Sequence, residues 1–168
     1  MKSNITLIGM PGAGKSTTGI ILAKNLSYGF VDTDVLIQVN RQQSLQDIMD
    51  GTGYLNLRKI EEEEILTLTS KHHVIATGGS AVYSEKAMRH LQSLSTIVFL
   101  EVDFETIKKR IHDFPTRGIA KPVDQSFQEL FHERQVLYRK YAELIIDCST
   151  LTQEEAAHRI AAMLFTEQ

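Results

Sequence analysis

Short apolar runs alternate along the whole chain with longer stretches in which apolar residues recur every three or four positions. The runs are Ile5-Thr6-Leu7-Ile8, Phe30-Val31-Asp32-Thr33-Asp34, Val74-Ile75-Ala76-Thr77, Thr96-Ile97-Val98-Phe99-Leu100 and Leu144-Ile145-Ile146-Asp147, and each reads as a buried strand. Helical periodicity fills the gaps between them. It runs from Thr17 to Leu26, then through Val35, Leu36, Ile37 and Val39, then into a short helix opened by the capping pattern Ser44-Leu45-Gln46-Asp47 and closed by Gly51 and Gly53. A longer helix, from about 54 to 70, follows from Leu57, Ile60, Ile65, Leu66 and Leu68, and the Glu61 to Glu64 run is expected mostly on its wet face. Ser84 and Asp103 read as N-caps of two further helices, and Phe127, Leu130, Phe131, Val136 and Leu137 mark another. Thr152-x-x-Glu155 caps a last one with Ala157, Ile160, Ala161 and Leu164 inside. About five strands alternating with helices predict an α/β fold, a parallel sheet with helices on both faces.

Between the first run and the first helix stands Gly9-Met10-Pro11-Gly12-Ala13-Gly14-Lys15-Ser16-Thr17, which satisfies G-x-x-x-x-G-K-[ST] in the required strand–loop–helix context. Its glycines let backbone N–H groups turn onto a polyphosphate at a helix N-terminus; Lys15 suits the β and γ oxygens and the Ser16 hydroxyl suits Mg²⁺. The second strand ends in Asp32 and Asp34. Strand C-termini line the ligand crevice of open parallel sheets, and alternation on an extended end sends both carboxylates to one face. Gly78-Gly79-Ser80, after the third strand, offers backbone that a ligand can approach closely. Periodicity lapses from 113 to 124, where Pro115, Gly118 and Pro122 surround Arg117 and Lys121, and a loop of this length in one domain reads as an active-site lid, with a plain surface excursion as the alternative.

Composition narrows the partners. A chain of 168 residues is most simply one domain, and a formal charge of −3 supplies no basic footprint for a nucleic acid. Cys148 is the single cysteine, which excludes an intramolecular disulfide, suits a reducing compartment and reads as a small buried hydrophobe. The apolar start is too short for a signal-peptide core and no run reaches membrane-spanning length, so a cytoplasmic protein is expected, without a membrane partner and monomeric. The six histidines show no metal-ligand spacing and are expected at the surface.

Taken in order, Gly12 to Ser16, Asp32-Thr33-Asp34, Gly53-Tyr54-Leu55-Asn56-Leu57-Arg58, Gly78-Gly79-Ser80, Arg117-Gly118-Ile119-Ala120 and Glu133-Arg134-Gln135-Val136-Leu137-Tyr138 resemble the motifs of the shikimate kinase family. The resemblance implies a P-loop kinase fold and ATP-dependent phosphorylation of shikimate to shikimate 3-phosphate with Mg²⁺. It implies that Gly12, Ala13, Gly14, Lys15, Ser16, Thr17, Arg110 and Arg117 bind ATP, with Arg110 beside the adenine and Arg117 reaching the phosphates from the lid. Ser16 and Asp32 would serve the metal. Asp34, Arg58, Gly78, Gly79 and Arg134 would bind the acceptor, with Arg58 and Arg134 on its carboxylate, and Lys15, Asp34 and Arg117 would carry catalysis. Glu61, one turn after Arg58, would orient that arginine. The chain departs from the family at Tyr54 (glutamate), Leu57 (phenylalanine), Ser80 (glycine) and Gly118-Ile119-Ala120 (Pro-Leu-Leu). A kinase for another hydroxy acid, gluconate-like, is therefore one alternative, and a nucleotide-binding regulator without turnover is another.

Overall fold

The computed structural model describes residues 2–111 and 119–165; Arg117 and Gly118, and with them much of the expected lid, lie outside the described residues. Five strands, β1 (Asn4–Ile8), β2 (Gly29–Asp32), β3 (His73–Ala76), β4 (Ser95–Glu101) and β5 (Leu144–Asp147), form one parallel sheet in the order β2-β3-β1-β4-β5. Every residue of β1 is buried, as continuous apolar runs in a doubly covered sheet require. Among the described residues eight α-helices connect and follow the strands: α1 (Lys15–Leu26), α2 (Thr33–Arg41), α3 (Leu45–Thr52), α4 (Tyr54–Leu66), α5 (Glu85–Leu94), α6 (Phe104–Arg110), α7 (Phe127–Tyr141) and α8 (Gln153–Phe165). Right-handed crossovers put α1 on one face, where α8 packs against it, and the connections running the other way on the opposite face, where α4 meets α5.

Two apolar clusters hold these layers. The larger joins Leu7, Ile75, Val98 and Phe99 of the sheet to Leu22, Met88, Leu91, Ile107, Tyr138 and Ile160 of the helices, and Cys148 is buried within it. The smaller gathers Ile37, Ile48, Leu57, Ile60 and Ala120 under the helices that follow β2. Full burial of each such aliphatic side chain is worth roughly 1.5–3 kcal/mol, so the smaller cluster is enough to dock α2, α3 and α4 on one another and on the segment at Ala120.

Local chemistry sets the element ends. Ser44 and Asp47 cap α3 reciprocally, as do Ser126 and Glu129 for α7 and Thr152 and Glu155 for α8. Strand β2 is shorter than its apolar run suggests: Asp32 is the N-cap of α2, and its Oδ1 accepts from the N–H groups of Asp34 at 3.0 Å and Val35 at 3.2 Å. Asp34 therefore sits in the first turn of a helix rather than on an extended end, and strand alternation does not set its direction. The expectation for the glutamate run also fails at two of its four positions, since Glu61 and Glu64 are buried. His73 and His90 are half-buried rather than at the surface, His90 bonding through Nε2 to the Leu68 carbonyl at 2.8 Å. Among the described residues no helix is long and apolar enough to cross a membrane.

Candidate active site

The C-terminal ends of β1, β2 and β3 open onto a cavity of about 340 Å³. The phosphate loop forms one wall. Gly14, at φ 89° in the left-handed region, is the N-cap of α1, a conformation that a residue with a Cβ adopts only under strain. Lys15 is buried and its Nζ donates to the carbonyls of Gly9 and Met10, both at 2.8 Å. Burial pushes its pKa down to about 8, against the opposing pull of Asp34. Gly12, Ser16 and Thr17 line the same wall, whereas Ala13 is buried behind it with its N–H on the Met10 carbonyl. Arg110, at the end of α6, lines the cavity and donates to the Gly12 carbonyl at 3.4 Å.

The Ser16 hydroxyl donates to Asp32 Oδ2. An exposed hydroxyl and a half-buried carboxylate in contact beside the phosphate loop are hard oxygen donors with room for retained water, the donor chemistry that Mg²⁺ prefers. Thr33, between the two aspartates, is fully buried, and its hydroxyl accepts the Gly78 N–H at 3.1 Å. That bond fastens the end of β3 to the start of α2 and brings Asp34 over the Gly78-Gly79-Ser80 turn.

A second wall is cationic. Arg58 from α4 and Arg134 from α7 converge on one oxygen, the Ala120 carbonyl, which accepts from their Nη2 atoms at 3.0 and 2.9 Å. Both guanidinium groups also lie against the Tyr83 ring, at 3.6 Å for Arg58 and 5.5 Å for Arg134, and the Tyr83 hydroxyl donates to Glu133. The Nε atoms of both arginines are buried without a hydrogen-bond partner, so each retains donor capacity toward a further acceptor. Burial pulls the pKa of Arg58 below its ordinary value, without bringing deprotonation into play. Tyr138, fully buried, donates to the Gly79 carbonyl at 2.7 Å and fixes the turn against which Arg134 Nη1 packs.

The structure thus brings Gly12, Gly14, Lys15, Ser16, Thr17, Asp34, Gly78, Gly79, Arg110 and Arg134 to one cavity, with Asp32 behind Ser16 and Arg58 joined to Arg134 through Ala120. It does not pair Glu61 with Arg58: Glu61 accepts from the Ser80 hydroxyl instead. Two neighbours escaped the sequence, Tyr83 and the Ala120 carbonyl, and Glu61 was seen only as a partner for Arg58 and not as a buried group. Glu61 carried a signal, because Leu57, Glu61 and Ile65 recur every four residues on the buried stripe of α4, and the run of four charges masked it. Tyr83 and the Ala120 carbonyl carried none, since their contacts cross from one distant segment to another.

Comparison with known proteins agrees with this geometry. The family model for shikimate kinase matches residues 11–165. A curated shikimate kinase from Thermodesulfovibrio yellowstonii is 35% identical over 160 residues, covering 94% of this chain and 92% of its own. Among solved structures, shikimate kinase from Acinetobacter baumannii, in complex with shikimate, superposes with a TM-score of 0.92 at 26% identity, covering 100% of this chain and 96% of that one. The Aquifex aeolicus enzyme gives a TM-score of 0.82 at 32% identity over 96% of this chain and 95% of its own. With its phosphate loop, Asp34 and Arg134 lining one cavity and Asp32 and Arg58 beside it, the chain belongs to the shikimate kinase family.

Proposed function

We propose that this protein transfers the γ-phosphoryl group of ATP to a hydroxyl of shikimate, giving shikimate 3-phosphate and ADP. The observation that carries the proposal is the convergence of Arg58 and Arg134 on a single oxygen at the cavity that Asp34 and the phosphate loop also line. Two guanidinium forks that meet on an oxygen fit a carboxylate, Asp34 in the same cavity suits a hydroxyl, and together they describe a hydroxylated carboxylic acid. The complex of the Acinetobacter baumannii relative with shikimate supports the same acceptor.

In this mechanism the Gly12 to Thr17 loop and Lys15 bind the phosphates, Arg110 flanks the nucleotide, and Arg117, outside the described residues, would serve the phosphates as well. Mg²⁺, held by the Ser16 hydroxyl and through water by Asp32, would neutralise charge on the transferring phosphoryl group. Lys15 leaves the Gly9 and Met10 carbonyls for phosphate oxygens. Arg58 and Arg134 exchange the Ala120 carbonyl for the acceptor carboxylate, while the Gly78-Gly79 backbone closes the turn side. Asp34 accepts the hydroxyl proton as the oxygen attacks phosphorus. The transition state is loose, so positioning and electrostatics supply most of the rate. The test is ADP release, measured by a coupled assay in Mg·ATP with shikimate and a panel of sugar acids: acceleration by shikimate above the ATPase background supports the proposal, and acceleration by a sugar acid alone replaces the acceptor.

A further inference from the structure

One group in the cavity wall has no part in that mechanism. Glu61 is 3% exposed; its Oε2 accepts from the Ser80 hydroxyl, and its Oε1 has no hydrogen-bond partner. The orphan oxygen lies beside Gly78, where a Cβ would stand 2.1 Å from Glu61 Oε1 and 2.6 Å from Asp34 Oδ1. Two carboxylate oxygens are therefore packed over one Cα, and Ser80, which stands where the family has a glycine, ties down the far oxygen of one of them. Other groups of the wall face Glu61 too: Lys15 from α1, Arg134 from α7, and Tyr138, which burial keeps protonated. Neither cation forms an ion pair with Glu61 among the described residues; Lys15 donates to the phosphate loop and Arg134 to Ala120.

A buried carboxylate packed against a half-buried one cannot carry its charge cheaply, and a buried acceptor left without a donor costs its full desolvation. One proton on Glu61 answers both. As a neutral acid it accepts from Ser80 through Oε2 and donates through Oε1–H to Asp34. We propose that Glu61 is a positioning residue that works as the neutral acid, holding Asp34 ionised and oriented toward the acceptor hydroxyl, with Ser80 selecting which oxygen carries the proton. The inference rests on the role given to Asp34 above. Burial, and then the charge of Asp34, push the Glu61 pKa up to about 7, with Ser80, Arg134 and Lys15 opposing. The protonated form is the working one, so turnover falls as pH rises through that value.

The experiment is the pH profile of kcat with shikimate under saturating Mg·ATP, which keeps the titration of Lys15 in the ATP KM. The parent enzyme should show a limb near neutrality that Glu61→Gln removes, since an amide accepts from Ser80 and donates to Asp34 at every pH. Ser80→Ala removes a donor that favours the ionised form, so the limb should move to higher pH by about one to two units, the size of a hydrogen bond to a charged group. A limb that survives in Glu61→Gln, a folded Glu61→Gln protein without turnover at any pH, or a Ser80→Ala limb that stays or moves down overturns the proposal. ¹³C NMR of carboxyl-labelled free protein supplies a readout without acceptor. A resonance missing from Glu61→Gln that titrates near neutrality supports the pair, and one in the ordinary carboxylate range overturns it. If shikimate were not the acceptor, the kinetic arm would be silent and the NMR arm would still decide.

Discussion

Replacing Gly78 by alanine tests the site at its most crowded point. The new Cβ would lie 2.1 Å from Glu61 Oε1, 2.6 Å from Asp34 Oδ1 and 3.0 Å from the Glu61 carboxyl carbon, where an ordinary contact begins at 3.4 Å. The obstacles are side-chain tips, so the backbone can persist, but Glu61 is buried and bonded to Ser80 and has little room to retreat. Overpacking of this kind costs about 1–3 kcal/mol, and in a chain of this size each kcal/mol lowers Tm by about 2–4 °C. The kinetic loss should be larger in proportion, because Asp34 must shift by about 1 Å and a misplacement of that size can cost roughly 10²-fold in rate. The Lys15 bonds to Gly9 and Met10 are untouched, so ATP affinity should change little. Circular dichroism melting, ATP titration and steady-state kinetics with shikimate separate the three effects. A folded Gly78→Ala enzyme with parental kcat would refute the placement of Asp34 over this turn.

Further expectations follow from the same geometry. Asp34→Asn should lower kcat by about 10²–10⁴ with little change in ATP affinity, and a change confined to the ATP KM would show that Asp32 and Asp34 have exchanged roles. Arg134→Ala should weaken the acceptor by roughly 1.5–3 kcal/mol, read as KM for shikimate, and parental KM in the folded variant would remove it from the carboxylate seat. Lys15 has its pKa lowered to about 8, below the ordinary value of 10.5, so it is charged below pH 8 and neutral above. ATP affinity measured without acceptor should therefore fall as pH rises through about 8, and Lys15→Met, which has no charge to lose, should abolish both that dependence and nearly all turnover.

The strands were legible because a parallel sheet covered on both faces demands unbroken apolar runs, and β1, β3 and β4 supply them. The phosphate wall was legible for a related reason: its chemistry is built from one continuous segment, Gly9 to Thr17. The acceptor wall is assembled otherwise. Arg58 reaches an oxygen 62 positions away, and Tyr83 receives guanidinium groups from two different helices. Nothing local encodes those meetings, and the family motifs brought the arginines into view without their shared oxygen. Asp34 reaches the cavity by a geometry other than the one expected, since a cap at Asp32 begins α2 at Thr33, two residues earlier than the apolar run suggests. Ser80 reads as a mere substitution until the fold sets it against Glu61.

The acceptor is the claim that most needs a direct measurement. The purified protein, Mg·ATP and shikimate should be followed by ³¹P NMR, with ADP and phosphate-ester resonances integrated together. The account predicts one equivalent of a shikimate phosphate monoester for each ADP formed, and its loss in Asp34→Asn. Formation of ADP with inorganic phosphate and no ester, or an ester that appears only when a sugar acid replaces shikimate, would contradict it.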